Sequence, residues 1–313
     1  MAGRQMAPKG PSLGRRLRAW LGAGPPSAGT RVLDYRTARS QDAAARGAAF
    51  PVPPSLTDWS EARLTTVQDV FGDGCHGPVD PAVLDDFIAP LSLRPRDLVA
   101  ELGPGLGALT RRLARAKCRV VAYEPNAGLA QAWRRTMTPL QMESCSLHQV
   151  DLNEIDFADR KFDYILSKEG LVAVANKPRL LEKMRGAIKL GGMLMLSDYI
   201  RSDGGTGKSV NHWRQHEPQG MYPMTMRQWE AALSDAQFEI LQVTDITDQI
   251  RNTVLRAFDG YSRSIRDMAR GMETGRLDWV LAEGEHWALR LGVFNEDAVR
   301  VHRFFCRASE NMG

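Results

Sequence analysis

In the stretch DLVAELGPGLGALTRRLA, residues 97–114, one carboxylate, Glu101, stands just ahead of three alternating glycines, Gly103, Gly105 and Gly107. Glycines between an apolar run and a helical pattern let the backbone turn tightly and approach a ligand closely. Two further carboxylates close later apolar runs. Glu124 ends RVVAYE, and Asp151, with Leu152 beside it, follows SLHQV. Such groups can engage a cationic amine, accept hydrogen bonds from ribose hydroxyls, or accept one from an exocyclic adenine amine.

Two familiar ligands of glycine turns are tested by the same residues. A triphosphate loop needs Gly-Lys-Ser/Thr at its end, and Gly107-Ala108-Leu109 supplies none of it. The dinucleotide pattern G-x-G-x-x-G/A is formally met by Gly103, Gly105 and Ala108, with Glu124 at the distance of the ribose-binding acid. On those two features a nicotinamide cofactor and a smaller nucleoside ligand remain equivalent. Glu101 separates them, because an acid in that place repels a pyrophosphate and attracts an amine. The chain also lacks a recognisable Tyr-x-x-x-Lys for hydride transfer.

The elements that must position these groups alternate between short apolar runs and helical patterns, as in a parallel sheet with crossover helices. Strands are predicted at 97–103, 119–125, 146–150, 162–167 and 193–200, with helices at 108–116, 126–137 and 177–188 between them. A Gly191-Gly192 turn is expected to precede the fifth strand. Beyond it come a helix over 225–236, a strand over 238–246, helical segments within 248–290 and a final strand over 299–308. The polar, Gly-rich stretch within about 201–224 is long for a loop and reads as an insertion able to cover a site. His212 and His216, four apart within it, read as histidines with ordinary hydrogen bonds rather than as a metal pair.

Composition bounds the rest. With 313 residues and 43% apolar content, the chain can bury a full core. The first 33 residues carry six basic residues and no acid, which leaves 35 basic against 37 acidic residues in the remainder. A near-neutral body, without a basic stripe or an N/D-P-P-Y/W motif, speaks against nucleic acid as a partner. Four well-separated cysteines fit a reducing, cytoplasmic setting. Residues 1–53 read as a basic extension, and the folded body is expected over 54–313. Within the extension, Leu13, Leu17, Trp20 and Leu21 lie at helical spacing among arginines. That pattern serves a membrane-surface helix over 13–21, a targeting peptide or a disordered basic tail equally well.

Taken together, ELGPGLG, the acid ending the second strand, VDLNEIDF and IKLGGMLMLSDY resemble the class I S-adenosylmethionine-dependent methyltransferases. The resemblance spans about 68–309 and implies a Rossmann-like α/β sheet with flanking helices. It also implies S-adenosyl-L-methionine as cofactor. Glu101, Gly103, Gly105 and Gly107 would form the glycine loop holding the methionine end. Glu124 would bind the ribose, Asp151 and Leu152 would flank the adenine, and Ser167 would close the methionine side. Within the family, DVFGDGCHGP, FDYILSKEGLVAVANKPRLL, LSDYIRS and VTDITDQI resemble the phosphoethanolamine and small-amine N-methyltransferases. Where those enzymes carry a catalytic histidine after the fourth strand, this chain has Ala173.

The resemblance therefore implies methyl transfer, at nitrogen, to a small molecule or lipid headgroup. Displacement at a sulfonium needs alignment above all, and a base only for a protonated nucleophile. His76, Tyr199 and His216 are the candidate catalytic residues. The missing histidine also motivates an alternative: a protein that binds the cofactor without turnover and serves as an assembly or regulatory partner. If residues 13–21 lie on membranes, deleting residues 1–33 lowers partitioning onto anionic liposomes in a flotation assay; unchanged partitioning removes the membrane reading.

Overall fold

The structure is a computed structural model that describes residues 54–203, 207–268 and 274–309. The basic extension and its 13–21 stretch lie outside the described residues. Two helices lead into the sheet: α1 (Glu61–Phe71), capped by the Ser60 hydroxyl, and α2 (Pro81–Ile88), capped by Asp80 with proline in its first turn. Then follow β1 (Leu98–Leu102), α3 (Ala108–Arg115), β2 (Arg119–Glu124), α4 (Ala127–Thr136), the short α5 (Pro139–Met142) and β3 (Cys145–Gln149). The second half holds β4 (Phe162–Lys168), α6 (Lys177–Ala187), β5 (Ile188–Arg201), α7 (Lys208–His216), α8 (Met226–Asp235) and β6 (Phe238–Asp245). It ends with α9 (Thr247–Met268), α10 (Thr274–Asn295) and β7 (Val299–Ala308).

The strands form one seven-stranded sheet in the order β3-β2-β1-β4-β5-β7-β6. β3 through β5 run parallel, and β7 inserts antiparallel between β5 and β6. Neighbouring strand residues face opposite sides. Val99, Val120 and Leu166 pack with Leu113 of α3 and Trp133 of α4, whereas Ala100, Leu102 and Leu194 pack with Leu181 of α6 and Trp229 of α8. A third cluster, from α1, α7, α9 and α10, gathers around Tyr199 and Val301 and caps one end of the sheet. Among the described residues, no helix is long and apolar enough to cross a membrane.

Two sequence expectations change. Gly191-Gly192 is not a turn ahead of β5 but a bulge inside it, since the pairing shifts between Phe162↔Ile188 and Tyr164↔Met193. Gly191 takes φ 72°, and a Cβ at Gly192 would press on Lys189 and Asp163 carbonyl oxygens. The insertion after β5 contains α7, which a polar composition hid; Val210 and Trp213, three apart, are its buried residues.

The insertion is pinned at Tyr222. Tyr222 N–H donates to the Val172 carbonyl at 2.9 Å, and Lys177 Nζ donates to the Tyr222 and Val174 carbonyls at 2.6 and 3.1 Å. Lys177 also stands 3.6 Å from Asp198 Oδ2, both side chains being buried. Burial lifts the Asp198 carboxyl to about 6 against the pull of Lys177. Removing one member of such a pair strands the other charge, so Lys177→Ala is expected to cost about 3–5 kcal/mol in chemical denaturation. A loss under 1 kcal/mol would show that the clasp carries little of the stability.

Candidate functional site

A cavity of about 250 Å³ opens at the carboxyl ends of the parallel strands. In open α/β sheets this is where ligands bind, at the point where strand order reverses, here between β1 and β4. Glu101 and Gly103 reach it from β1, Glu124 from β2, Lys168 and Glu169 from β4, and Tyr199 from β5. The roof comes from residues 56–79 and from the α10 side chains Glu283, His286, Trp287 and Arg290.

The glycine loop follows from the packing. Gly103, Gly105 and Gly107 have φ of 69°, 55° and 82°, a region that favours glycine. A Cβ on Gly103 would lie 2.6 Å from the Gly170 Cα, and one on Gly107 would strike Trp133 at 2.7 Å. At Gly105 it would run into the imidazole of His76. Gly107 then begins α3 as its N-cap, outside the cavity lining.

Two buried carboxylates face the cavity without a cation paired to them among the described residues. Glu101 Oε2 accepts the Thr110 hydroxyl at 2.6 Å, and that hydroxyl in turn accepts Trp133 Nε1–H at 3.0 Å. Glu124 accepts Gly105 N–H at 3.0 Å and Asn126 N–H at 2.9 Å, which joins the glycine loop to the end of β2. Burial pushes both carboxyls up to about 7, against the hydrogen bonds that favour their ionised forms.

Opposite them lies a densely paired charge cluster. Arg290 Nε and Nη2 each donate to Glu217 at 2.8 Å, and Arg63 Nε donates to Glu283 at 2.6 Å. Burial would raise the Glu217 carboxyl, but Arg290 outweighs it and holds the group at about 2. Burial, reinforced by neighbouring arginines, lowers His76 to about 4 and His286 to about 3, so both imidazoles are neutral at pH 7. Tyr199 is buried, its phenol pushed upward by desolvation, and its oxygen accepts from Arg290 Nη1 at 3.4 Å.

The structure gathers Glu101, Gly103, Gly105, Glu124, His76 and Tyr199 around this space and leaves other expected residues outside its lining. His216 sits exposed at the end of α7 with Nδ1 2.7 Å from the His212 carbonyl, outside the cavity lining. Ser167 Oγ donates to the Leu102 carbonyl at 2.9 Å and ties β4 to β1, outside the cavity lining. The Leu152 side chain is buried in the core beneath the sheet. Asp151 is exposed, and its Oδ1 accepts from Asn153 N–H and Nδ2, both at 2.9 Å.

Sequence reading overlooked Lys168, Glu169, Arg63 and the α10 residues. Signals existed: KEG directly follows β4, and Glu283, His286, Trp287 and Arg290 recur at 3, 4 and 7 residues along one helix face. Glu169 takes φ 51°, uncommon for a side-chain-bearing residue, at the edge of the cavity.

A family profile described as a methyltransferase domain matches residues 80–243. The chain belongs to this family. Its strand order and fold are those of the class I S-adenosylmethionine-dependent methyltransferases. Phosphoethanolamine N-methyltransferase 3 of Arabidopsis thaliana is 23% identical over 206 residues, 66% of this chain and 41% of that protein. The chain thus spans about two fifths of the curated relative it matches. Phosphoethanolamine N-methyltransferase 2 of Haemonchus contortus, solved with S-adenosyl-L-methionine, superposes with a TM-score of 0.71 at 14% identity. That match covers 82% of this chain and 59% of the nematode chain. The cyclopropane synthase MmaA2 of Mycobacterium tuberculosis superposes at 0.64 with 13% identity, covering 82% of this chain and 96% of the other.

The two carboxyls give the methyltransferase domain a pH-dependent stability. A buried acid raised from 4.5 to about 7 favours the folded state fully below 4.5, and that advantage is lost as pH rises through 7. For Glu101 the span corresponds to on the order of 3 kcal/mol. Glu101→Gln is therefore expected to melt near wild type at pH 5 and to be the more stable protein at pH 8, without added ligand. Parallel melting of the two proteins between pH 5 and 8 would refute a raised Glu101.

Proposed function

We propose that the chain transfers a methyl group from S-adenosyl-L-methionine to nitrogen in a small-molecule or lipid-headgroup acceptor. The observation that carries the reading is the pair of buried carboxylates, Glu101 and Glu124, which line the cavity and form no salt bridge with a cation among the described residues. A ligand bearing an ammonium and a ribose diol supplies what these two groups lack. The names of the phosphoethanolamine N-methyltransferase relatives favour nitrogen as the acceptor atom.

In this reading Glu101 takes the cofactor's amine, with Thr110 and Trp133 fixing the carboxylate from behind. Glu124 takes the ribose hydroxyls while its backbone bonds to Gly105 and Asn126 hold the loop beneath. Bound there, the cofactor supplies a methyl group on a sulfonium, reactive enough that the protein's task is alignment and exclusion of water. His76, buried against Gly105 with Trp59 5.5 Å away, serves as a wall over the loop. A group held at about 4 is a weak base toward an ammonium, so His76 positions rather than takes a proton. Glu169, with Oε1 accepting the Ser197 hydroxyl at 2.6 Å, presents a carboxylate on the acceptor side. Tyr199 offers a phenol there whose orientation Arg290 fixes. Ala173 lines the cavity with a methyl group and supplies no base, so an amine that arrives uncharged needs none.

Isothermal titration with S-adenosyl-L-methionine tests the reading. Wild type is expected to bind saturably, and Glu124→Gln to bind about 10- to 100-fold more weakly, the loss expected for charge-assisted hydrogen bonds. No binding to wild type would overturn the reading. Binding without methyl consumption across an amine panel would support the non-catalytic alternative.

A further inference from the structure

Every cation lining the cavity is already paired. Arg63 holds Glu283, with both side chains under 5% exposed. Its Nη1 donates to the Leu56 carbonyl, and its guanidinium lies 3.7 Å over the Trp59 ring. Arg290 grips Glu217 through two nitrogens, gives the third to Tyr199 and lies 4.7 Å over Trp287. Lys168 pairs with Glu169 at 2.5 Å.

A phosphate needs charged donors free to turn toward it. Here, turning Arg290 away would leave Glu217, 1% exposed, as a buried unpaired charge, and turning Arg63 away would do the same to Glu283. His286 adds no cation, being neutral at pH 7 and 3.6 Å from Glu217. With Glu101 and Glu124 engaged by the cofactor, the walls left to the acceptor hold no free cation and include Val172, Ala173 and Pro218. Such a space accepts an uncharged amine with an apolar body and offers an anion no free cation.

We propose that the acceptor is a small amine that carries no phosphate, and that the Arg63–Glu283 and Arg290–Glu217 pairs enforce this selection. The proposal rests on the methyltransferase reading and departs from the substrate named for the relatives. The pairs keep two arginines in the cavity wall, where they orient Trp59, Trp287 and Tyr199, while cancelling the charge that would recruit a phosphate.

The test is calorimetry on the full chain saturated with S-adenosylhomocysteine, titrated with 2-phenylethylamine and separately with phosphoethanolamine. Saturable binding of 2-phenylethylamine, with phosphoethanolamine at least about tenfold weaker, is the expected result. Glu217→Gln and Glu283→Gln, each releasing one arginine, are expected to raise phosphoethanolamine affinity; either variant suffices if the other fails to fold. Phosphoethanolamine binding as well as or better than 2-phenylethylamine would overturn the proposal. So would binding of neither amine, or unchanged phosphoethanolamine affinity in the variants. S-adenosylhomocysteine that fails to bind at all marks failure of the cofactor reading, and the acceptor proposal falls with it.

Discussion

Where β1 and β4 leave the sheet side by side, their backbones pass with no room for a side chain between them. Gly170 meets the Leu102 carbonyl and Gly103 Cα so closely that a Cβ on either glycine would force the strands apart. This approach sits at the reversal of strand order, and the site follows from it. Gly103 turns immediately above Glu101, the loop returns through Gly105 to the end of β2, and Glu124 clamps it there. On the β4 side, Glu169, next to Gly170, takes a left-handed conformation at the cavity edge. The close backbone approach thus lies between Glu101 on one strand and the Lys168–Glu169 pair on the other.

The two halves of the cavity handle charge in opposite ways. Glu101 and Glu124 are buried with hydrogen bonds but with no salt bridge among the described residues, a costly arrangement for a charged group. Across from them, Arg63, Arg290 and Lys168 are each neutralised by a carboxylate from this chain. Such pairs contribute little to stability compared with apolar packing, but they fix geometry and leave a defined residual sign. The helical cap supplies most of this half: Arg63 comes from α1, and Glu283, His286 and Arg290 come from α10, while Lys168 ends β4. The sheet holds the unpaired acids, and the helical cap meets it with the paired cluster.

Much of the sheet was legible in the sequence because parallel strands read as continuous apolar runs and their crossover helices as 3.6-residue periods. The glycine loop and Glu124 were legible because backbone conformation and burial restrict residue type locally. α7 was less so, since only Val210 and Trp213 in it are buried. Position along the strands points Ser167 and Leu152 toward a ligand; in the structure Ser167 donates to a neighbouring strand's carbonyl and Leu152 is buried in the core. A strand-end residue has the same sequence environment whether it faces a cavity or the next strand.

By itself, then, the sequence determined the strand–helix alternation, the glycine turn and the acids that flank it, because each is fixed by contacts within a few residues. Tertiary structure alone decided that β7 enters the sheet between β5 and β6 and that His216 faces away from the site. It also decided which cations are spoken for. Arg63 and Glu283 lie 220 residues apart and Arg290 and Glu217 lie 73 apart. No local pattern marks them as partners, because charge compensation depends on distance in space, and that distance is set only when the helical cap closes over the ends of the strands.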